Sequence, residues 1–180
     1  MTAGRPRSRR TPWWLVDDLV DAVEVAAVHG DVLVVDLENT LVPYGSSFDD
    51  RRAALAGAVE VVAAHGGIGH LAVISNARFR LPLVAAPDLR CTVVTAARKP
   101  HLWCPPLRAL RHALRGAAVY GDQPLTDGLL ARNLDGVWLQ PRHAARPSTA
   151  EPWWPRLMRA RGGKVIRREF APGRAPGSPA

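Results

Sequence analysis

The stretch "DVLVVDLENTLVPYG", Asp31 to Gly45, decides how the rest of the chain is read. Val32 to Val35 is an aliphatic run, β-branched except for Leu33, of the kind that forms a strand buried on both faces. The run stops abruptly at Asp36-Leu37-Glu38-Asn39-Thr40. In an open α/β sheet, ligands and reactive groups gather beyond the carboxyl ends of the strands. Asp36 is therefore a candidate catalytic carboxylate, and Glu38 is a second, two residues on.

Working outward, the same grammar recurs. "HLAVISN" reads as another buried strand ending at Ser75-Asn76, "LRCTVVTAARKP" as a short strand with a loop that carries Lys99, and "AAVYGDQ" as a strand ending at Asp122. The strand "VWLQ" follows. Between them, Asp49 to His65 reads as a helix broken by Gly66-Gly67, and "PPLRALRHALRG" as a helix with Pro in its first turn and Gly116 after its last. "PLTDGLLARNLDG" supplies one more helix. Upstream, "WWLVDDLVDAVEVAAVHG" has apolar residues at helical spacing, so an amphipathic helix is expected to end near His29 before Gly30. Strands alternating with helices predict an α/β fold with a mainly parallel sheet and right-handed crossovers.

The 180 residues, 47% of them apolar, suffice for one domain with a real core. Residues 1–12 read as a disordered basic N-terminus, 13–140 as the folded domain, and 141–180 as an Arg/Pro/Gly-rich C-terminal extension with an amphipathic remnant near Trp153 to Met158. No apolar run approaches the roughly 18 residues of a membrane span, and the best, Ala53 to Ala64, is interrupted by Glu60. The basic start lacks an apolar signal core. Cys91 and Cys104 make neither a metal pattern nor a disulfide framework, so a reducing cytoplasm is expected.

The net charge is +8, which invites an anionic partner: nucleic acid, an acidic membrane surface, or a phosphorylated substrate. Solubility in an Arg-rich composition is the plainer explanation. Much of the excess lies in Arg5 to Arg10 and Arg156 to Arg174. Lys99 and Lys164 are the only lysines among 24 basic residues. A lysine used against that habit points to a place where a compact ammonium is needed.

In a parallel sheet, Asp36, Glu38, Ser75, Asn76, Lys99 and Asp122 all fall on one edge, with Asp127 nearby. Carboxylates there supply hard oxygen ligands for Mg²⁺, while a lysine and a hydroxyl suit phosphate oxygens. Each residue alone has a duller explanation in turn formation, helix capping or surface charge. Asp127 in particular fits a charge at a helix N-terminus. Together they predict phosphoryl transfer.

The same residues carry a resemblance. "DLENTLV" resembles the first motif of the haloacid dehalogenase (HAD) superfamily, "VISNA" the second, "ARKP" with Lys99 the third and "YGDQPLTD" the fourth, in order over roughly residues 31–140. "VISN", "ARKP" and the GDQ and LTD strings look most like the YqeG-type phosphatases of HAD subfamily IIIA, whose relatives include phosphatidylglycerophosphate phosphatases. The resemblance implies a three-layer Rossmann-like core and a Mg²⁺-dependent phosphatase active in phospholipid metabolism. It implies that Asp36 is the nucleophile that forms an aspartyl-phosphate, with Glu38 as acid and base. It further implies that Ser75, Asn76 and Lys99 bind phosphate. Asp36, the Glu38 carbonyl and Asp122 would hold Mg²⁺, with Asp127 in support.

Glu38 departs from the family pattern, which has Asp there. The carboxylate is kept on an arm longer by one methylene, about 1.5 Å. An adjusted acid and base, a slow enzyme and a phosphate-binding relic all remain open, and the other intact motif positions favour an enzyme. Members acting on small metabolites carry a cap domain, for which neither the segment from Asp36 to Ser75 nor that from Ser75 to Lys99 leaves room. A capless site implies a phosphate presented by a lipid, a protein or a nucleic-acid end. Trp13-Trp14 and Trp153-Trp154, with Arg beside them, suggest contact with an anionic membrane at its inner face, although Trp13 also suits packing on the core. The alternative is a catalytically impaired module that binds RNA, the ribosome or a membrane through its basic flanks.

Overall fold

The computed structural model describes residues 10–79, 86–143, 157, 161–164, 166 and 169–173. Through them run β1 (Thr11–Val16), α1 (Leu19–His29), β2 (Val32–Val35), α2 (Phe48–His65), β3 (His70–Ile74), β4 (Arg90–Val94), α3 (Pro105–Leu110), β5 (Ala118–Tyr120), a π-helical turn (Pro124–Gly128), α4 (Leu129–Asn133), β6 (Val137–Pro141) and β7 (Phe170–Pro172). The seven strands make one sheet in the order β4-β3-β2-β5-β6-β1-β7, and every pair is parallel.

The expected α/β architecture is present, and alternation along the strands explains its three layers. Leu33 and Val35 of β2, Leu71 and Val73 of β3, and Leu139 of β6 face a core with Val23 and Ala26 of α1 and Leu55, Val59 and Val62 of α2. Val34, Ala72, Ile74, Val119 and Trp138 face the opposite way, onto Leu107 of α3, Leu114, and Leu130 and Ala131 of α4. Both faces of the central strands are covered, which is why they read as unbroken apolar runs.

Strand order reverses at β2. From there the chain steps outward to β3 and β4, then returns to lay β5 and β6 on the other side. Such a reversal leaves a crevice beyond the carboxyl ends of the two strands that flank it. The helix entering from that crevice is firmly started. Ser47 caps α2 in a capping box, with its Oγ accepting from the Asp50 N–H at 3.1 Å and the Asp50 carboxylate accepting from the Ser47 N–H at 3.1 Å.

Three expectations are corrected. Trp13 to Val16 belongs to a strand, and α1 begins only at Leu19. Asp18 separates the two by accepting from the Val20 and Asp21 N–H groups at 2.8 and 3.1 Å, as an N-cap does. The second correction concerns the expected boundaries at residues 12 and 141. The sheet takes in Thr11 and Pro12 through β1, and β7 from the C-terminal extension pairs with β1 from Thr11↔Phe170 to Trp13↔Pro172. Phe170 is buried with its ring centroid 5.0 Å from that of Trp138. Third, the helix expected to run up to Gly116 is α-helical only to Leu110 and continues as turns.

The tryptophans at the N-terminal flank are committed to the fold. Trp13 stacks on Trp138 at 5.8 Å between ring centroids, and Trp14 lies 4.7 Å from His29. Trp153 and Trp154 lie outside the described residues. No helix among the described residues is long and apolar enough to cross a membrane. Cys91 and Cys104 are free thiols.

Candidate active site at the strand switch

Asp36 follows directly on β2, and its N–H donates to the Tyr120 carbonyl of β5 at 2.8 Å, which fixes the carboxylate at the crevice between the two strands. The chain then folds back tightly. Asn39 adopts a left-handed conformation at φ 62°, its N–H donates to Val42 O at 2.6 Å, and its Oδ1 accepts from the Tyr44 N–H at 3.1 Å. Asn is among the few residues that take this conformation at low cost. Thr40, one residue on, reaches across to β5, where its Oγ1 accepts from the Asp122 N–H at 3.2 Å.

The end of β3 is tied to the loop after β4. The Ser75 N–H donates to Val94 O, and Ser75 O accepts from the Ala97 N–H. Ser75 Oγ accepts from the Ala77 N–H at 3.1 Å, which leaves its own hydroxyl proton for an acceptor in the pocket. Asn76 Oδ1 accepts from the Lys99 N–H at 2.6 Å. Ala96 and Arg98 both have positive φ, and this strained turn delivers Lys99 inward.

Lys99 Nζ lies 2.7 Å from Asp36 Oδ1 and 2.5 Å from Asp127 Oδ1, with the side chain almost fully buried. The second oxygen of Asp127 accepts from the Gln123 N–H at 3.1 Å, so both of its oxygens are engaged. Room for that carboxylate comes from Gly121, where a Cβ would overlap the Asp127 side chain. Trp138 holds the same turn by donating its indole N–H to Gly121 O at 3.0 Å. Burial pushes Asp36 up to about 7, against the pull of Lys99 and with the nearby Asp127 adding to the rise. Burial works against the charge of Lys99, but Asp127 and Asp36 outweigh it and raise its pKa.

Asp36, Glu38, Asn39, Tyr44, Ser75, Asn76, Lys99, Gln123 and Thr126 line one pocket of about 130 Å³. That is small beside the roughly 300–1,000 Å³ typical of small-molecule sites. Asp36, Asp122 and Asp127 bring carboxylate oxygens within 4.8 Å of one another, a group able to hold a metal ion. Both oxygens of Asp127 are engaged, by Lys99 and by the Gln123 N–H, and Asp36 shares the same lysine. Hard oxygen donors of this type fit a small divalent cation.

All seven residues singled out in the sequence thus meet at one crevice, with three differences in detail. Asp127 supports Lys99, Asn76 positions the Lys99 backbone, and Glu38 is paired with Arg51 at 2.6 Å. Arg51 was missed, as were Thr40, Gln123 and Gly121. Thr40 and Gly121 sit inside the motifs that were read, but nothing local marks Arg51. No protein family, curated protein or solved structure matches the chain.

Proposed function

We propose that this chain is a Mg²⁺-dependent phosphomonoesterase of the haloacid dehalogenase type, with Asp36 as its nucleophile. The observation that carries the reading is the convergence of Asp36, Ser75 and Lys99 on one small pocket with Asp122 on the adjacent strand end. An Asp36 oxygen displaces the alcohol from phosphorus to form an aspartyl-phosphate, which water then hydrolyses. Lys99 places an ammonium against the phosphoryl oxygens and shields them from Asp36. Ser75 donates its hydroxyl proton to another of those oxygens. Glu38, on the pocket wall, passes a proton to the leaving oxygen and later takes one from the attacking water.

Asp36, Asp122 and the Glu38 carbonyl are the groups that would hold the cation. When bound, Mg²⁺ supplies charge neutralisation at the phosphoryl oxygens. Four carboxylates, Asp36, Glu38, Asp122 and Asp127, face two cations, Lys99 and Arg51. A phosphate dianion enters such a site readily only with further positive charge. The pocket holds a phosphoryl group and little more, so the substrate's bulk stays outside. That suits a phosphate on a lipid headgroup, a protein or a nucleic-acid end, with phosphatidylglycerophosphate the lipid to which the motif resemblance points.

A second reading is a catalytically idle domain that binds RNA, the ribosome or an anionic membrane. Its support is the exposed edge formed by His101, Trp103, Arg108 and Arg111, where Trp103 is 66% exposed. The deciding experiment measures phosphate release from p-nitrophenyl phosphate and from phosphatidylglycerophosphate vesicles, with Mg²⁺ or EDTA, for wild type and Asp36→Asn. Metal-dependent turnover that disappears in Asp36→Asn supports the phosphatase. Silence on both substrates, with salt-sensitive binding to RNA or vesicles, supports the binding domain.

A further inference from the structure

Glu38 and Arg51 meet at 2.6 Å, with side chains 11% and 17% exposed. Each is anchored by its own part of the chain. Glu38 is bridged to Val42 and followed by the left-handed Asn39, so its backbone is fixed close to Asp36. Arg51 belongs to the first turns of α2, where its N–H donates to Ser47 O at 3.2 Å, and its guanidinium lies 4.9 Å from the centre of the Phe79 ring. Arg51 Nε is buried with no hydrogen-bond partner. A buried donor left unmet opposes folding, so the Glu38 contact is what offsets the placement of this guanidinium.

The lengths of the two side chains are matched. An Asp at position 38 retracts the carboxylate by about one C–C bond, ~1.5 Å. That opens the 2.6 Å contact beyond hydrogen-bonding distance.

We propose that Arg51 is a positioning residue that makes a Glu the working carboxylate at position 38. The guanidinium draws the longer arm to the α2 side of the pocket and holds its carboxylate at a set distance from Asp36. Arg51 touches no reacting atom and acts through Glu38 alone. The inference rests on the phosphomonoesterase reading for its catalytic consequence, whereas the coupling of the two residues stands independently.

The test is a double-mutant cycle on the full chain, built from Glu38→Gln, Glu38→Asp and Arg51→Met, with Arg51→Lys as the charge-keeping variant. Arg51→Met keeps an apolar stem against Phe79 and so guards against simple misfolding. With p-nitrophenyl phosphate and Mg²⁺, Arg51→Met is expected to lower kcat by about tenfold or more with KM little changed, because small misplacements of a reacting group are costly. In the Glu38→Gln background the same change is expected to cost less than about twofold. Glu38→Asp is expected to be slower than wild type, and Arg51→Lys to recover part of the activity lost in Arg51→Met.

In EDTA, where no turnover is involved, Arg51→Met should lower Tm by about 2–4 °C more beside Glu38 than beside Gln at that position. Equal losses of kcat in both backgrounds, a Glu38→Asp faster than wild type, or additive Tm changes would each overturn the proposal. A wild type with no metal-dependent turnover would instead remove the phosphatase reading, and the unfolding cycle in EDTA would then decide on the pair by itself.

Discussion

Asp127 Oδ1 lies 2.5 Å from Lys99 Nζ, and solvent scarcely reaches either side chain. Asp127 thereby fixes the ammonium from one side while Asp36 meets it at 2.7 Å from the other. One cation thus bridges two buried acids.

Lys99→Met should therefore be the most destabilising single change at the site, by about 3–5 kcal/mol, since it leaves two buried carboxylates unpaired. Asp127→Asn leaves Lys99 with Asp36 and should cost about 1–3 kcal/mol. Urea unfolding of both variants in metal-free buffer at pH 8 checks the order. A Lys99→Met no less stable than Asp127→Asn would mean that the lysine does not hold the acids together.

Asp36→Asn should abolish turnover yet leave the metal-free protein as stable as wild type or more so. Burial raises Asp36 to about 7 from its ordinary 3.8, so the folded state holds its proton more tightly than the unfolded chain does. Stability from this group is therefore present below the unfolded value and is lost as pH rises towards about 7. Above that the loss is complete. The Tm advantage of Asp36→Asn should be greatest at pH 8 and shrink as pH falls to 4, as thermal unfolding across that range will show. An advantage that grew on acidification would contradict the assignment.

Mg²⁺ should raise the Tm of wild type. At a hundredfold excess over Kd, linkage gives about 2.7 kcal/mol. Asp122→Asn should lose most of that shift while Asp127→Asn keeps part of it, because both Asp127 oxygens are already engaged. Differential scanning fluorimetry with and without Mg²⁺ separates the two, and an equal loss in both would place Asp127 among the ligands.

Gly121→Ala should lower both stability and turnover. The added methyl overlaps the Asp127 carboxylate and must push it off Lys99. Overpacking of this kind costs about 1–3 kcal/mol. A variant with unchanged Tm and kcat would show that the crevice relaxes freely there.

Phe170→Ala should destabilise the domain by about 3–5 kcal/mol, the usual range for a buried aromatic truncated to Ala. The ring fills the space between Trp138 and Gly128, where a Cβ would come within 2.8 Å of it. A denaturant midpoint near that of wild type would mean that β7 is dispensable.

The strands that end at Asp36, at Ser75 and at Asp122 were legible because burial on both faces forces an unbroken apolar run, and the polar residue that stops each run is conspicuous. Lys99 was legible as a lysine in a chain that otherwise uses Arg. β1 was not, because Trp13 to Val16 runs into the apolar spacing of α1 and the pair Asp17-Asp18 reads equally well as the polar side of a longer helix. Only the pairing of Trp13 with Trp138 in register decides for a strand. Phe170 offered no signal either, since a three-residue strand has too few residues to show a period.

By itself, the sequence determined the α/β alternation, the parallel sheet and the edge on which the polar groups gather, since these follow from local runs and their end points. Tertiary structure decided the partners. Arg51 reaches Glu38 across 13 positions, Asp127 reaches Lys99 across 28, and Thr40 reaches Asp122 across 82. Such contacts depend on how strands are ordered in space, and no local pattern encodes that order. The physical reason is the reversal at β2, which brings the ends of β2, β3 and β5 side by side although long connections separate them in the chain.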